Sequence, residues 1–124
     1  MQCKISCSFG EIVDKVTILK IKKSKAINEI ALGNITKELT IISQENPQVN
    51  TDDILFTQLS KINNELWCLE DLIREKSRTK EFDSDYIKYA ELIHKTNDER
   101  YLIKKQINEK YKSNLKEEKI YKHM

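Results

Sequence analysis

Glycine and proline are scarce in this chain, which has two glycines and one proline among its 124 residues. A β-sandwich or β-barrel needs many turns between short strands, and these two residue types supply most of the turn signals. Their scarcity therefore excludes those folds and favours helices joined by few loops. With 39% hydrophobic and 34% charged residues, the composition fits one small and heavily solvated helical domain.

The chain also lacks a strong excess of charge, a long apolar run and a disulfide pattern. Its net charge of +2 does not indicate nucleic acid as the main partner, and no segment approaches the roughly 18 apolar residues of a membrane-spanning helix. The opening Met1-Gln2-Cys3-Lys4 does not begin a signal peptide, and Cys3, Cys7 and Cys68 do not form a disulfide framework. We therefore expect a cytoplasmic protein with reduced thiols and no membrane association.

The first helix has a well-defined start at Ser8. Ser8 and Glu11 have the S-x-x-E spacing of a capping box, in which each satisfies a backbone donor of the other. Ile12, Val16 and Leu19 follow at spacings of four and three residues, which predicts the buried stripe of an amphipathic helix.

A second face of the same helix is polar. Glu11, Asp14, Lys15, Ile18 and Lys22 are spaced so that they lie on one side of the helix. One interpretation is a solvated surface with local ion pairs. The other is a groove in which a ligand or a partner binds, and the sequence leaves both open.

Caps and apolar spacing predict the remaining helices. Gly33 suits the end of the first helix near Leu32, and Asn34 would then cap a short second helix. The apolar seam from Leu55 to Ile73, followed by a helix that begins near Ser84, predicts two long helices with a short connection near residue 80. Such a connection implies an antiparallel hairpin.

These elements predict an all-α fold in one domain of residues 1–124, a long antiparallel helical hairpin with an N-terminal helix and a short second helix packed along it. The predicted segments are an extended arm (1–7), the N-terminal helices (8–44), a loop (45–52), the hairpin (53–112) and a tail (113–124). Cys3, Ile5 and Cys7 alternate as in a strand. Because no second strand is predicted, this segment either packs as an arm or pairs with its copy in a dimer.

Arginine is scarce beside lysine, with three arginines and nineteen lysines. The planar guanidinium offers a fork of five donors that an ammonium lacks, so an arginine kept in such a chain is a candidate for a specific contact. Arg100 lies in the apolar seam of the last helix, with Asn97 one turn before it. A buried arginine needs a partner, and the hairpin register offers Asn64 or Glu65. The pair either fixes the helix register or belongs to a polar ligand pocket.

Three motifs are spread along the chain. They are Ser8-x-Gly10-Glu11-Ile12-x-Asp14-Lys15-x-Thr17-Ile18-Leu19-x-Ile21-Lys22, Leu66-Trp67-x-x-Glu70-Asp71-x-Ile73-Arg74 and Asn97-Asp98-x-Arg100-x-x-Ile103-Lys104-x-x-Ile107-Asn108. Together they resemble the pattern of a bacterial and phage family of small helical proteins that is catalogued as a domain of unknown function. The resemblance implies no reaction, and this chain has His94 where the family usually has a tyrosine.

The polar residues of these segments form one candidate cluster. Its members are Glu11, Asp14, Lys15, Lys22, Asp71, Arg74, Asn97, Asp98 and Arg100. Most of them are marked both by their position on the predicted helices and by the resemblance.

The sequence predicts no metal and no cofactor. The nearest approach to a metal site is Glu91-x-x-His94, with Glu65 or Glu70 on the facing helix as a bridging carboxylate. A second such element is lacking, because the other histidine, His123, has an isoleucine three residues before it. No phosphate loop, C-x-x-C pair or catalytic triad pattern occurs, so the sequence favours a protein that is not an enzyme.

Two functional hypotheses follow. The first is a non-enzymatic protein-interaction or regulatory module, a homodimer or a partner of another protein, because long hairpins often bury spare apolar residues against a copy. The second is a protein that binds a small molecule or anion, or an enzyme, through the polar cluster. The first predicts paired charges and exposed apolar residues, whereas the second predicts a concavity where Glu11, Asp14, Lys15, Arg74 and Arg100 converge.

Overall fold

The computed structural model of the chain describes residues 1–122. Within that range it has four helices and no strand: α1 (Phe9–Lys25), α2 (Glu29–Glu45), α3 (Ile54–Arg78) and α4 (Ser84–Lys110). The predicted all-α fold is confirmed, and α3 and α4 pack together as the expected hairpin. None of these four helices is both long and apolar enough to cross a membrane.

The central helix of the fold is α1, because it contacts the other three helices. The core is a cluster of six buried side chains from α1, α3 and α4: Val13, Val16, Phe56, Leu59, Ile103 and Ile107. It lies where α3 begins and α4 ends. By contrast, α2 packs against α1, and none of its residues is buried.

Each helix begins with a side chain that caps it. Ser8, Asn28, Asp53 and Asp83 stand in extended backbone, and each accepts a hydrogen bond from a backbone N–H in the first turn of the helix that follows. These caps satisfy donors that have no partner inside the helix. The predicted start at Ser8 is therefore present, although the carboxylate of Glu11 pairs elsewhere.

The predicted boundary between the first two helices is wrong. The chain leaves the first helix at Lys25 instead of near Leu32, and Asn28 starts α2, which at 17 residues is as long as α1 rather than short. Gly33 lies inside α2, where no atom outside its own helix comes within 4 Å of an added Cβ. An exposed glycine costs a helix only about 1 kcal/mol. Gly33 therefore does not end the helix in which it lies.

The buried face of α3 overlaps the predicted seam in part. Leu59 and Leu66 of the seam are buried, and Leu55 is partly buried against the core. The other buried residues, Phe56 and Asn63, lie to one side of the seam. The face is turned because α3 packs against α1 as well as α4.

The hairpin has two parts that differ in burial. Its base, residues 53–71 and 96–111, packs around α1 and carries every buried residue of α3 and α4. Its tip, residues 72–95, contains no buried residue. The tip is thus a pair of helices that project beyond the core.

The two ends of the described chain meet at the base. Residues 1–8 have no regular structure, and the backbone N–H of Phe9 donates to Ser113 Oγ at 3.0 Å. After α4, Lys112 has a left-handed φ of 52° and Ser113 N donates to Asn108 O at 2.9 Å, which is a Schellman turn. The turn sends residues 113–122 back along α4.

Candidate functional site

Asp14 is the centre of the polar site, because its side chain is only 2% exposed yet charged. Arg100 approaches it side by side, with Nε 3.0 Å from Oδ1 and Nη2 2.5 Å from Oδ2. This two-bond geometry is the strong form of an arginine–carboxylate pair. It joins α1 to α4.

Two neutral side chains complete the ring around Asp14. The amide Nδ2 of Asn63 donates to Asp14 Oδ1 at 2.9 Å and to Thr17 Oγ1 at 2.8 Å. The Thr17 hydroxyl in turn donates to the backbone oxygen of Asp14 at 2.6 Å. Because Asn63 belongs to α3, three helices meet at one carboxylate.

Lys104, one turn after Arg100, is buried beside the same carboxylate. Its Nζ lies 2.9 Å from Glu11, 3.2 Å from Glu117 and 3.9 Å from Asp14. Burial acts to lower the pKa of Lys104, but the hydrogen bond that it donates to Glu11 and the charges of Asp14 and Glu11 outweigh it, so the pKa is raised. The hydrogen bond with Asp14 likewise raises the pKa of Arg100. We call Asp14, Thr17, Asn63, Arg100 and Lys104 the Asp14 cluster.

A second buried carboxylate closes the base of the hairpin. Asp53, the cap of α3, accepts from Lys110 Nζ at 2.7 Å, from the Tyr111 hydroxyl and from Leu55 N. The hydrogen bonds from Lys110, Tyr111 and Leu55 lower the pKa of Asp53 to about 2. This contact ties the start of α3 to the end of α4.

Around the buried Asp14 carboxylate the structure brings together three members of the predicted cluster, namely Glu11, Asp14 and Arg100. Other members find partners elsewhere: Lys15 pairs with Glu38 at 3.2 Å and Asp98 pairs with Lys119 at 2.7 Å. The polar face of α1 is therefore divided between α4, which takes Asp14, and α2, which takes Lys15.

The remaining predicted members are more exposed. Arg74 Nε is 3.8 Å from Glu70, one turn earlier on α3, and Lys22 is exposed in the last turn of α1. Asp71 is also exposed, whereas Asn97 is half-buried beside Arg100.

The expected partner of Arg100 is wrong. Asn64 and Glu65 are both exposed, and the Asn64 amide donates to Ser60 O on its own helix. Arg100 instead reaches Asp14, because α1 lies across the hairpin and covers the position opposite it. The amide that joins this contact comes from Asn63, one residue before the predicted pair.

Lys104, Asn63 and Asp53 are the residues that sequence reasoning missed. A signal existed for Asn63, which lies four residues after Leu59 and three before Leu66 and so shares their buried face. Lys104 lies four residues after Arg100 and carries the same kind of signal. Asp53 gave no such signal, because its contact with Lys110 depends on the hairpin register.

Two open grooves flank Arg100. One, of about 710 Å³, lies between α4 and residues 117–121. The other, of about 400 Å³, lies between α1, α3 and α4, and we call it the Trp67 groove. It is lined by Ile18, Ile21, Asn63, Leu66, Trp67, Glu70, Asp71, Arg74, Asn97 and Arg100.

Residues 1–122 contain no group of three or more side chains placed to hold a metal ion. Glu65 and Glu91 are exposed, Glu70 is 3.8 Å from Arg74, and His94 lines the larger groove. His123 lies outside the described residues.

No family model, curated protein or solved structure matches this chain. The resemblance to the family of unknown function therefore stays a prediction. What the protein does has to be argued from the contacts, burial and charges described above.

Proposed function

We propose that the chain is a protein-interaction module whose first partner is a second copy of itself. The observation that carries the proposal is that the buried charges are paired within the chain while large apolar side chains stand in solvent. Every buried side-chain nitrogen and oxygen in residues 1–122 has a hydrogen-bond partner. The Asp14 cluster is thus a lock between helices.

Exposed apolar side chains occur along the whole described chain, and two groups of them lie outside the base of the hairpin. Ile27 and Ile30, at the connection of α1 and α2, are 97% and 80% exposed, and Leu72, Phe82 and Ile87 of the tip are also exposed. Exposed apolar surface that is rimmed by charge is typical of interaction sites.

The connection between α1 and α2 lies close to the place where the tip begins, and we call the space between them the step. Lys25 Nζ lies 5.8 Å from the centre of the Trp67 ring, so the connection after α1 stands near the middle of the hairpin. The tip begins just beyond it. A second copy packed into this step would remove both groups from water, at about 25 cal/mol for each Å² of apolar surface.

The ligand-binding alternative receives less support from the Asp14 cluster. Lys15 faces α2 and Arg74 is exposed on α3, so neither reaches the buried carboxylate with Glu11 and Arg100. The proposal includes a cytoplasmic setting, which is supported by three free thiols, Cys3, Cys7 and Cys68.

Light scattering coupled to size-exclusion chromatography tests the proposal. We expect a dimer for the unmodified chain and at least about tenfold weaker association for Ile30→Glu and for Ile87→Glu, because each places a charge in the apolar contact. Gln58→Glu is the matched control, since it adds the same charge at an exposed position of the base. A chain that stays monomeric at every concentration, or equal weakening by all three variants, contradicts the proposal.

A further inference from the structure

Arg100 has donors that the Asp14 cluster does not use. A guanidinium carries five N–H groups, and the bonds to Asp14 engage Nε and Nη2, so Nη1 is left for another acceptor. The buried carboxylate holds this side chain in place, and Arg100 also lines the Trp67 groove. A lysine cannot make the paired contact and still offer a second edge.

The α3 wall of the groove is an unusual helix face. Trp67, Glu70, Asp71 and Arg74 follow one another at i, i+3, i+4 and i+7 and so lie on one side of α3. Arg74 is loosely held, because its side chain is 79% exposed and its contact with Glu70 is 3.8 Å long. The wall therefore presents an aromatic ring beside two carboxylates and one guanidinium, with a net negative charge.

The opposite wall presents donors. Asn97 and Arg100 come from the same face of α4 and line the groove together, while Ile18 and Ile21 of α1 form an apolar side. Carboxylates on one wall disfavour a simple anion, and Arg100 on the other disfavours a simple cation. A molecule that carries both charges satisfies both walls.

We propose that the Trp67 groove binds a zwitterionic amino acid with an apolar or aromatic side chain. Its carboxylate is received by Arg100 and Asn97, its ammonium by Asp71, and its side chain packs along Trp67 and Ile18. A volume of about 400 Å³ is within the range of small-ligand sites. This activity goes beyond the proposed interaction function and does not depend on it.

The chain provides its own reporter, because Trp67 is the one tryptophan in the sequence. We expect phenylalanine to change Trp67 fluorescence in a saturable way. The matched probes 3-phenylpropionate, which lacks the ammonium, and phenethylamine, which lacks the carboxylate, should each bind at least about tenfold more weakly, since each leaves one wall unpaired. Absence of a saturable response to phenylalanine, or equal responses to all three compounds, would overturn the proposal.

Variants then test which wall of the groove binds the carboxylate and which binds the ammonium. Arg100→Lys should abolish the response, with Arg78→Lys in the tip as its matched control. Because Arg100→Lys also disturbs the Asp14 cluster, the exposed Asp71→Asn is the second test, with Asp85→Asn as its control. Asp71→Asn should reduce the preference for phenylalanine over 3-phenylpropionate about tenfold. An unchanged preference in Asp71→Asn would contradict the assignment of the ammonium.

Discussion

Two arginine–carboxylate pairs in this molecule have nearly the same geometry and very different surroundings. At the base, Arg100 meets Asp14 at 3.0 and 2.5 Å, and at the tip, Arg78 meets Glu75 at 3.0 and 2.5 Å. The side chains are 28% and 2% exposed in the first pair and 70% and 61% exposed in the second. Water competes for the tip pair, so its geometry alone does not make it stabilising.

The same contrast holds for packing. The base surrounds α1 with apolar side chains and buried hydrogen bonds, whereas the tip depends on surface contacts such as Lys76 with Asp83 at 2.8 Å and the ring of Phe82 against that of Tyr86. The base specifies one arrangement of three helices. The tip, by contrast, is solvated in the single chain.

The largest effect should come from breaking the buried pair. Asp14→Ala leaves the charges of Arg100 and Lys104 without their shared carboxylate, and we expect a loss of about 3–5 kcal/mol in the free energy of unfolding. Glu75→Ala removes a pair of the same geometry at the tip and should change the unfolding transition within experimental error. Denaturant unfolding of both variants measures the contrast, and similar losses for the two would refute it.

The second effect concerns apolar packing. Leu59 is 0% exposed and Leu72 is 46% exposed. Leu59→Ala should cost about 2–5 kcal/mol through lost contacts and the cavity left behind, whereas Leu72→Ala should cost about 0.5 kcal/mol or less. Thermal or denaturant unfolding of the pair provides the measurement. A large loss for Leu72→Ala in a monomeric sample would mean that the tip is packed.

The two glycines extend the comparison to α1 and α2. An added Cβ at Gly10 would lie 2.7 Å from the backbone oxygen of Lys104, so Gly10→Ala must push α1 away from α4 and should cost about 1–3 kcal/mol. Gly33→Ala meets no neighbour within 4 Å and should stabilise the chain by about 0.5–1 kcal/mol. Unfolding curves with shifts of the same sign for both variants would contradict this account.

The fold was predictable where the signals are local. Scarce glycine and proline, side-chain caps and the spacing of Leu55 to Ile73 follow from the chemistry of neighbouring residues, and they led to the all-α hairpin. The predicted end of α1 was wrong because it rested on Gly33 and Asn34, whereas the cap of α2 is Asn28. A cap that satisfies a backbone donor outweighs an exposed glycine, whose cost to a helix is small.

The site was less predictable because its contacts join distant segments. Asp14 and Arg100 are 86 residues apart, and their meeting depends on how α1 lies on the hairpin. A periodic pattern shows which residues share a face, but not which neighbour that face meets. The polar face of α1 meets two helices, so Asp14 contacts α4 whereas Lys15 contacts α2.

The smallest expected effect is a difference in pH dependence between the two aspartates that cap the hairpin helices. Hydrogen bonds from Lys110 and Tyr111 lower the pKa of Asp53 from its usual 3.8 to about 2, and a hydrogen bond from Lys76 lowers the pKa of the more exposed Asp83. A depressed carboxyl pKa in the folded state contributes stability that is present above the unfolded value and lost as pH falls through the folded one.

For Asp53 this window runs from pH 3.8 down to about 2. The difference in unfolding free energy between the unmodified chain and Asp53→Asn should therefore be constant above pH 5 and shrink as the pH falls to 2. The corresponding difference for Asp83→Asn should shrink less, because water already surrounds that carboxylate. Urea unfolding at several pH values measures both differences. If the two free-energy differences shrink equally, the burial of Asp53 does not determine its contribution to stability. The contrast between base and tip would then not extend to the caps of α3 and α4.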